Sequence, residues 1–361
     1  MSNLLVWAVR GLLALCLQLC CPAARFQKEE SVRRDPAYAV YETYRYAYER
    51  YGYLFSYAEE TGGEGTVAAG NPSWQGEDGN AGAADREQES TGADGMKTEQ
   101  TGAGSALSAS SLARLQDYDY LMKQYFSVHA STTADRSLMK VEKLLGTDVR
   151  LTKNPDVPQI LIYHTHASET YADYGPQNPD ASVAGAGSYL AELLRQRGWN
   201  VIHDTTAYDR KEGKLERSRA YTYALEGVQG ILQEHPTIEV ILDLHRDGVS
   251  DSLRLVQEIQ GKPTAKIMFF QGMSRTPEGE IAYLPNPYLQ ENLAFCFQMQ
   301  LACGRYPGFT RKIYLKGLRY NLHLRGRSSL IEAGAQTSTK EEVWNAMELL
   351  AEAADSVLQG E

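Results

Sequence analysis

Residues 159–171 hold the first cluster able to do chemistry: Ile160-Leu161-Ile162 runs through Tyr163 into His164, Thr165, His166, Ser168 and Glu169. Imidazoles and a carboxylate at the end of a buried strand suit either a divalent metal or proton transfer. His164 and His166 are two apart, so they share a face while the chain stays extended. Glu169, three positions beyond His166 in an HxxE spacing, reaches the same ion if the chain bends there. Either histidine alone reads more readily as a hydrogen-bonded turn residue. Taken together, one pointing at a ligand while the other braces the loop is the most economical reading, and the spacing leaves open which does which.

Two further apolar stretches end the same way. Val240-Ile241-Leu242 leads through Asp243-Leu244 into His245-Arg246-Asp247, and Ser329-Leu330-Ile331 leads into Glu332. Asp243 is suited to fixing a histidine ring or a loop. Arg246 and Asp247 have the composition of a structural ion pair, the commoner fate of adjacent opposite charges. A functional Arg246 would instead hold a substrate carboxylate or steady a developing oxyanion. Glu332 directly continues a buried strand, where a carboxylate is costly unless it is paired or working. His129, His203, His235 and His323 lack such a setting and read as structural or exposed. Two histidines and a carboxylate on one divalent ion, with one position left for water, form the usual hydrolytic zinc site. Glu332 is then the proton shuttle.

These groups need elements that bring distant residues to one point. The pattern predicts strands at 160–163, 200–203, 239–244, 265–270 and 329–331. It predicts helices at 188–197, 216–234, 288–301 and 340–358, with two short helices from residue 111 onward. Strands separated by helices imply an α/β fold, a mixed, mostly parallel sheet flanked by helices, with reversed strands at its edge. Ligands of such sheets bind outside the carboxyl ends of the strands, so three strand ends can share one crevice.

The rest of the chain sets limits. It has 361 residues, 43% hydrophobic, with a formal net charge of -10, and this acidic balance argues against a nucleic-acid surface. Its five cysteines form no CxxC pair and no disulfide framework. Residues 1–24 are almost wholly apolar around Arg10 and Gln18 and read as a signal or a membrane anchor. Residues 25–60 form a Tyr-rich juxtamembrane segment. Residues 61–110, poor in large apolar side chains, read as a disordered linker. Residues 111–361 form the catalytic domain with a helical lead-in.

At 161–171, at Asp243-Leu244-His245-Arg246-Asp247 and at Leu330-Ile331-Glu332-Ala333-Gly334 the chain closely resembles the stage II sporulation protein P family, over about residues 117–358. The resemblance implies a peptidoglycan hydrolase, an N-acetylmuramoyl-L-alanine amidase with endopeptidase activity on stem-peptide cross-links. It implies Zn2+ as cofactor and peptidoglycan of the septal wall as substrate during sporulation engulfment. A membrane-tethered, extracytoplasmic catalytic domain follows, with the stage II sporulation D and M proteins as partners. More distantly the core resembles the zinc amidase fold, in which two His and a Glu bind zinc and a Glu near the last strand is catalytic. On that basis His245, Glu169 and either His166 or His164 hold the metal, the HxxE spacing favouring His166, and Glu332 with Arg246 serves catalysis. Two other functions fit the same residues: a metallocarboxypeptidase, and a non-catalytic scaffold that binds peptidoglycan.

Overall fold

The computed structural model describes residues 108–360. The expected anchor, the Tyr-rich segment and the linker up to residue 107 lie outside the described residues.

A helical lead-in opens the described chain: α1 (Ala109–Leu115), α2 (Tyr118–Tyr125) and, after strand β1 (Phe126–Val128), α3 (Val141–Gly146). There follow β2 (Ile160–Tyr163), α4 (Val183–Gln196) and β3 (Val201–His203). A small hairpin of β4 (Arg210–Lys211) and β5 (Lys214–Leu215) precedes a 3-10 turn (Arg217–Arg219) and α5 (Ala220–Glu234). β6 (Val240–Asp247), the hairpin β7 (Val256–Ile259) and β8 (Lys262–Ala265), and β9 (Ile267–Gly272) continue the chain. A third hairpin, β10 (Arg275–Thr276) and β11 (Gly279–Glu280), leads to α6 (Leu289–Cys303) and β12 (Ile313–Lys316). β13 (Ser328–Ala335) and α7 (Lys340–Gln359) close it. Thr339 caps α7 in a reciprocal capping box with Glu342.

Seven strands form one sheet in the order β1-β12-β9-β13-β6-β2-β3. Every neighbouring pair is parallel except β13 with β9. The expected mixed, mostly parallel sheet is therefore present, but the reversal falls inside the sheet and not at its edge. The cause is the link from β12 to β13, residues 317–327, which contains no helix. Returning a strand parallel to its predecessor needs a longer crossover.

The connections β2-α4-β3 and β3-α5-β6 step in opposite directions across the sheet. Right-handed crossovers then put α4 and α5 on opposite faces. On the α4 face, Ile160, Ile162, Leu242, Leu244, Phe269 and Ile331 join the main core. On the α5 face, Leu161, Tyr163 and Ile241 pack with Ala224, Val228 and Leu232 in a smaller cluster. Strand alternation thus assigns His245 and Asp243 to the α5 face with Ile241, and Leu244 to the other.

Candidate active site

β6 and β13 both run further than the apolar pattern predicts, so His245 and Glu332 lie within paired strand and not beyond it. They are register partners across β6 and β13, which puts an imidazole and a carboxylate side by side on one face. Asp243, two residues back from His245, is fully buried. It accepts the Thr165 backbone N–H at 2.9 Å and the Thr165 hydroxyl at 2.7 Å, and its Oδ1 lies 2.9 Å from His245 Nε2. One aspartate therefore holds the loop after β2 by two hydrogen bonds and stands in ion-pair contact with the ring on β6, whose Nε2 makes no hydrogen bond.

That loop is pinned at two further points. The Ser168 backbone N–H and hydroxyl both donate to Asp209. Glu169, buried, accepts Arg217 Nη2 on Oε1 at 2.6 Å and the Arg246 backbone N–H on Oε2 at 3.2 Å. The same Oε2 stands 3.6 Å from His245 Nδ1. Burial alone would raise Glu169, but His245, His166 and Arg217 outweigh it and bring its pKa down to about 2. Burial works against charge on His245 too, and Asp243 and Glu169 outweigh it, so that its pKa rises well above the usual histidine value.

The two histidines of the loop part company. His164 Nδ1 is 2.8 Å from the Leu244 carbonyl oxygen and its Nε2 is 2.9 Å from His203 Nε2. Both nitrogens are thus engaged on the α4 face. The carbonyl can only accept, so Nδ1 carries the proton and Nε2 accepts from His203. His203 Nδ1 meets Ser188 Oγ at 3.3 Å. His166 instead lies edge-on to His245, ring centroids 5.3 Å apart at 81°, and its buried Nδ1 has no hydrogen-bond partner. Burial first, then His245 and Arg217, lower its pKa to about 4.

Helix α4 must come very close to accommodate His164. A Cβ on Gly187 would sit 2.6 Å from His164 Nε2 and 2.8 Å from His203 Nε2. Gly187→Ala is therefore expected to cost about 1–3 kcal/mol of stability by overpacking. A urea midpoint equal to the parent's would show that the pair does not hold its place. The same small residues around Gly187 hid the start of this helix, which begins at Val183 and not at residue 188.

Glu332 Oε2 is buried with no hydrogen-bond partner. Burial, with help from Asp247 and Glu169, pushes its pKa up to about 8 against the opposing charges of His245 and Arg311. Arg246 follows strand alternation to the face opposite His245. Its Nη1 donates to the Asp247 carbonyl oxygen at 3.3 Å, while the Asp247 carboxylate is taken by Arg311. The adjacent opposite charges thus do not close on each other through their side chains. Of the predicted group, His166, Glu169 and Glu332 each lie beside His245; His164 faces away, and Arg246 touches Glu169 through its backbone N–H.

Arg217, Asp209 and Tyr221 complete the surroundings and were not singled out by spacing, because they reach the loop after β2 from far along the chain, just before and at the start of α5. Tyr221 lies edge-on to His166 at 5.7 Å and nearly parallel to His245 at 6.5 Å. Tyr320 packs on its other side at 5.3 Å. Tyr320 and Asn321 both hold positive φ, 49° and 59°, and Asn321 Nδ2 donates to the Tyr221 carbonyl at 2.8 Å. Two consecutive non-glycine residues in this region are strained, and such strain concentrates at functional sites.

Among the described residues no group of three His, Cys, Asp or Glu side chains is arranged, as it stands, to hold a metal ion. The donor set nevertheless fits a divalent ion. His166 Nδ1 and Glu332 Oε2 are buried and unpartnered. The 3.6 Å between Glu169 Oε2 and His245 Nδ1 is too long for a hydrogen bond and close to the separation of two ligands about 2.1 Å from one zinc. Asp243 behind the His245 ring is the outer carboxylate that metal-binding histidines generally have.

Histidines and carboxylates thus lie side by side on β6 and β13 and in the loop after β2 of an α/β sheet. The sequence model for stage II sporulation protein P matches residues 73–355, and the chain belongs to that family. No curated protein matches the chain. Among solved structures, N-acetylmuramoyl-L-alanine amidase AmiC2 of Nostoc punctiforme is similar at 12% identity and TM-score 0.34, covering 57% of this chain and 97% of that one. The catalytic domain of the CD27L endolysin targeting Clostridia difficile is similar at 11% identity and TM-score 0.34, covering 55% and 96%. The N-acetylmuramyl-L-alanine amidase Ami1 from Mycobacterium smegmatis is similar at 9% identity and TM-score 0.33, covering 57% and 99%.

Proposed function

We propose that the protein is a peptidoglycan hydrolase, a zinc-dependent N-acetylmuramoyl-L-alanine amidase that cuts the bond between muramic acid and the stem peptide. The observation that carries this reading is Glu332, a half-buried residue whose Oε2 is buried without a partner and whose pKa is pushed up to about 8, register-paired with His245 and in the field of Glu169. Membership of the sporulation family supports the choice of the cell wall as substrate. The family resemblance also supports a septal, extracytoplasmic setting, a membrane tether within residues 1–24, and the stage II sporulation D and M proteins as partners.

His166, Glu169 and His245 would hold the ion, and Asp243 orients the His245 ring. A zinc ion there supplies Lewis acidity toward a carbonyl oxygen and makes water nucleophilic near neutral pH. Glu332 accepts the proton of the attacking water and returns it to the leaving amide nitrogen. Its raised pKa suits both halves of that transfer. Arg217 pairs with Glu169 at 2.6 Å, and the Tyr221 ring lies against His166 and His245. With the full-length protein, hydrolysis of sacculi is expected to stop on chelation and return on adding zinc; turnover unaffected by chelation would overturn the reading.

The metal-free protein makes a second expectation. Asp243 and Glu169 raise the pKa of His245 against its burial, so an incoming metal competes with a proton for the ring. Zinc binding near neutral pH should release protons, and apparent affinity should fall as pH drops. Calorimetry in buffers of different ionisation enthalpy reads this directly, and a binding heat independent of buffer would contradict it.

A further inference from the structure

The two residues that clamp the loop of the site from outside, Asp209 and Arg217, bracket the β4–β5 hairpin. The Glu216 backbone N–H donates to the Asp209 carbonyl at 2.7 Å and closes the hairpin's base. Asp209 holds Ser168 and Arg217 holds Glu169, so the base is fastened to the site on both sides. At the tip, Glu212 and Gly213 both have positive φ, 51° and 80°, the conformation of a tight two-residue turn that matches strand twist. The result is a short, stiff projection whose root is the site itself.

Its side chains do little for the fold. Arg210, Lys211, Lys214 and Leu215 are all exposed. Arg210 Nη1 reaches only the Gly213 carbonyl at 3.4 Å, and Lys211 Nζ lies 5.3 Å over the Tyr223 ring. Among the described residues none of these three cations forms an ion pair with a carboxylate. Within residues 210–215 three cations stand against the single Glu212, and the flanking carboxylates are engaged elsewhere, Asp209 with Ser168 and Glu216 with Arg219 and Tyr223. A cationic turn without ion-paired carboxylates, rooted beside the loop that carries Glu169, attracts an anionic part of a ligand bound there.

We propose that this hairpin binds the carboxylates of the substrate's peptide, and that the site prefers stem peptides with free carboxyl groups over amidated ones. The inference rests on the peptidoglycan reading above and adds to it the charge state of the substrate. Guanidinium and ammonium groups pair with carboxylates, and Leu215 beside them offers apolar surface to the peptide's alanine methyls.

The test compares the full-length protein with the triple variant R210Q/K211Q/K214Q, which keeps the Glu212-Gly213 turn and every residue of the site. Both act on a soluble muropeptide with free stem carboxylates and on the same muropeptide amidated. The parent is expected to show a KM about three- to tenfold lower for the free form, and the variant to lose that preference with kcat unchanged. Equal KM values for the two substrates with the parent, or an equal loss on both with the variant, overturn the proposal. So does a variant that keeps its muropeptide KM and loses affinity only for a wall phosphate polymer or for anionic vesicles. If the parent cleaves neither substrate, the hydrolase reading fails by itself. Calorimetric binding of the uncleaved free-carboxylate muropeptide then decides the hairpin: weaker binding by the variant supports it, and unchanged or absent binding overturns it.

Discussion

Glu332→Gln is expected to lower turnover by about two to four orders of magnitude, the usual contribution of a positioned acid–base group, while leaving the fold and the metal affinity close to those of the parent. Gln fills the same space on β13 and cannot take a proton. The substitution also has a stability signature that a merely structural residue would not give. The pKa of Glu332 rises from 4.5 to about 8 on folding, through burial. Between those values the folded, metal-free protein binds the proton that the unfolded chain releases, so stability declines as pH rises through that window. Gln carries no such term. The variant should therefore match the parent near pH 4 and exceed it at pH 8 in urea unfolding of the chelated protein. Full activity in Glu332→Gln, or a parent without the extra pH slope, would remove Glu332 from its role.

The two histidines of the loop should separate cleanly. His166→Ala is expected to lose zinc and activity while unfolding at nearly the parent's denaturant midpoint, since the His166 ring is only partly buried and its Nδ1 is unpartnered. His164→Ala should do the reverse. It removes a fully buried ring, leaves the Leu244 carbonyl and His203 Nε2 without their partner, and so should cost about 2–4 kcal/mol. Metal content per folded molecule should stay near the parent's. Zinc lost from folded His164→Ala and kept in His166→Ala would exchange the two roles.

How far the sequence carries can be judged from these residues. Apolar runs ending in ionisable groups located β2, β6 and β13, and the alternation of strands with helices gave the sheet class, because burial dictates both patterns. What short runs cannot encode is pairing. β1 and β12 are brief strands whose partners lie far away in the chain, and neither stood out. The reversed junction of β13 with β9 depends on a loop that lacks a crossover helix, which only the folded chain reveals. Within the site, His164 and His166 look equivalent in sequence. The difference comes from Leu244 and His203, which meet His164 across the sheet. Arg217 was hidden for the same reason: nothing local in residues 216–219 says that a buried Glu169 lies opposite. Arg246 had the right chemistry and the right neighbour, yet strand alternation turns its side chain from His245.

Hydrolysis of the sugar–peptide amide of the cell wall by this cluster is read by digesting purified sacculi with the zinc-loaded full-length protein and identifying the soluble products by mass. Free stem peptides with a new alanine amino terminus and glycan strands stripped of peptide are expected. Single amino acids released from stems that stay on the glycan, or unchanged sacculi in the presence of bound zinc, would contradict it.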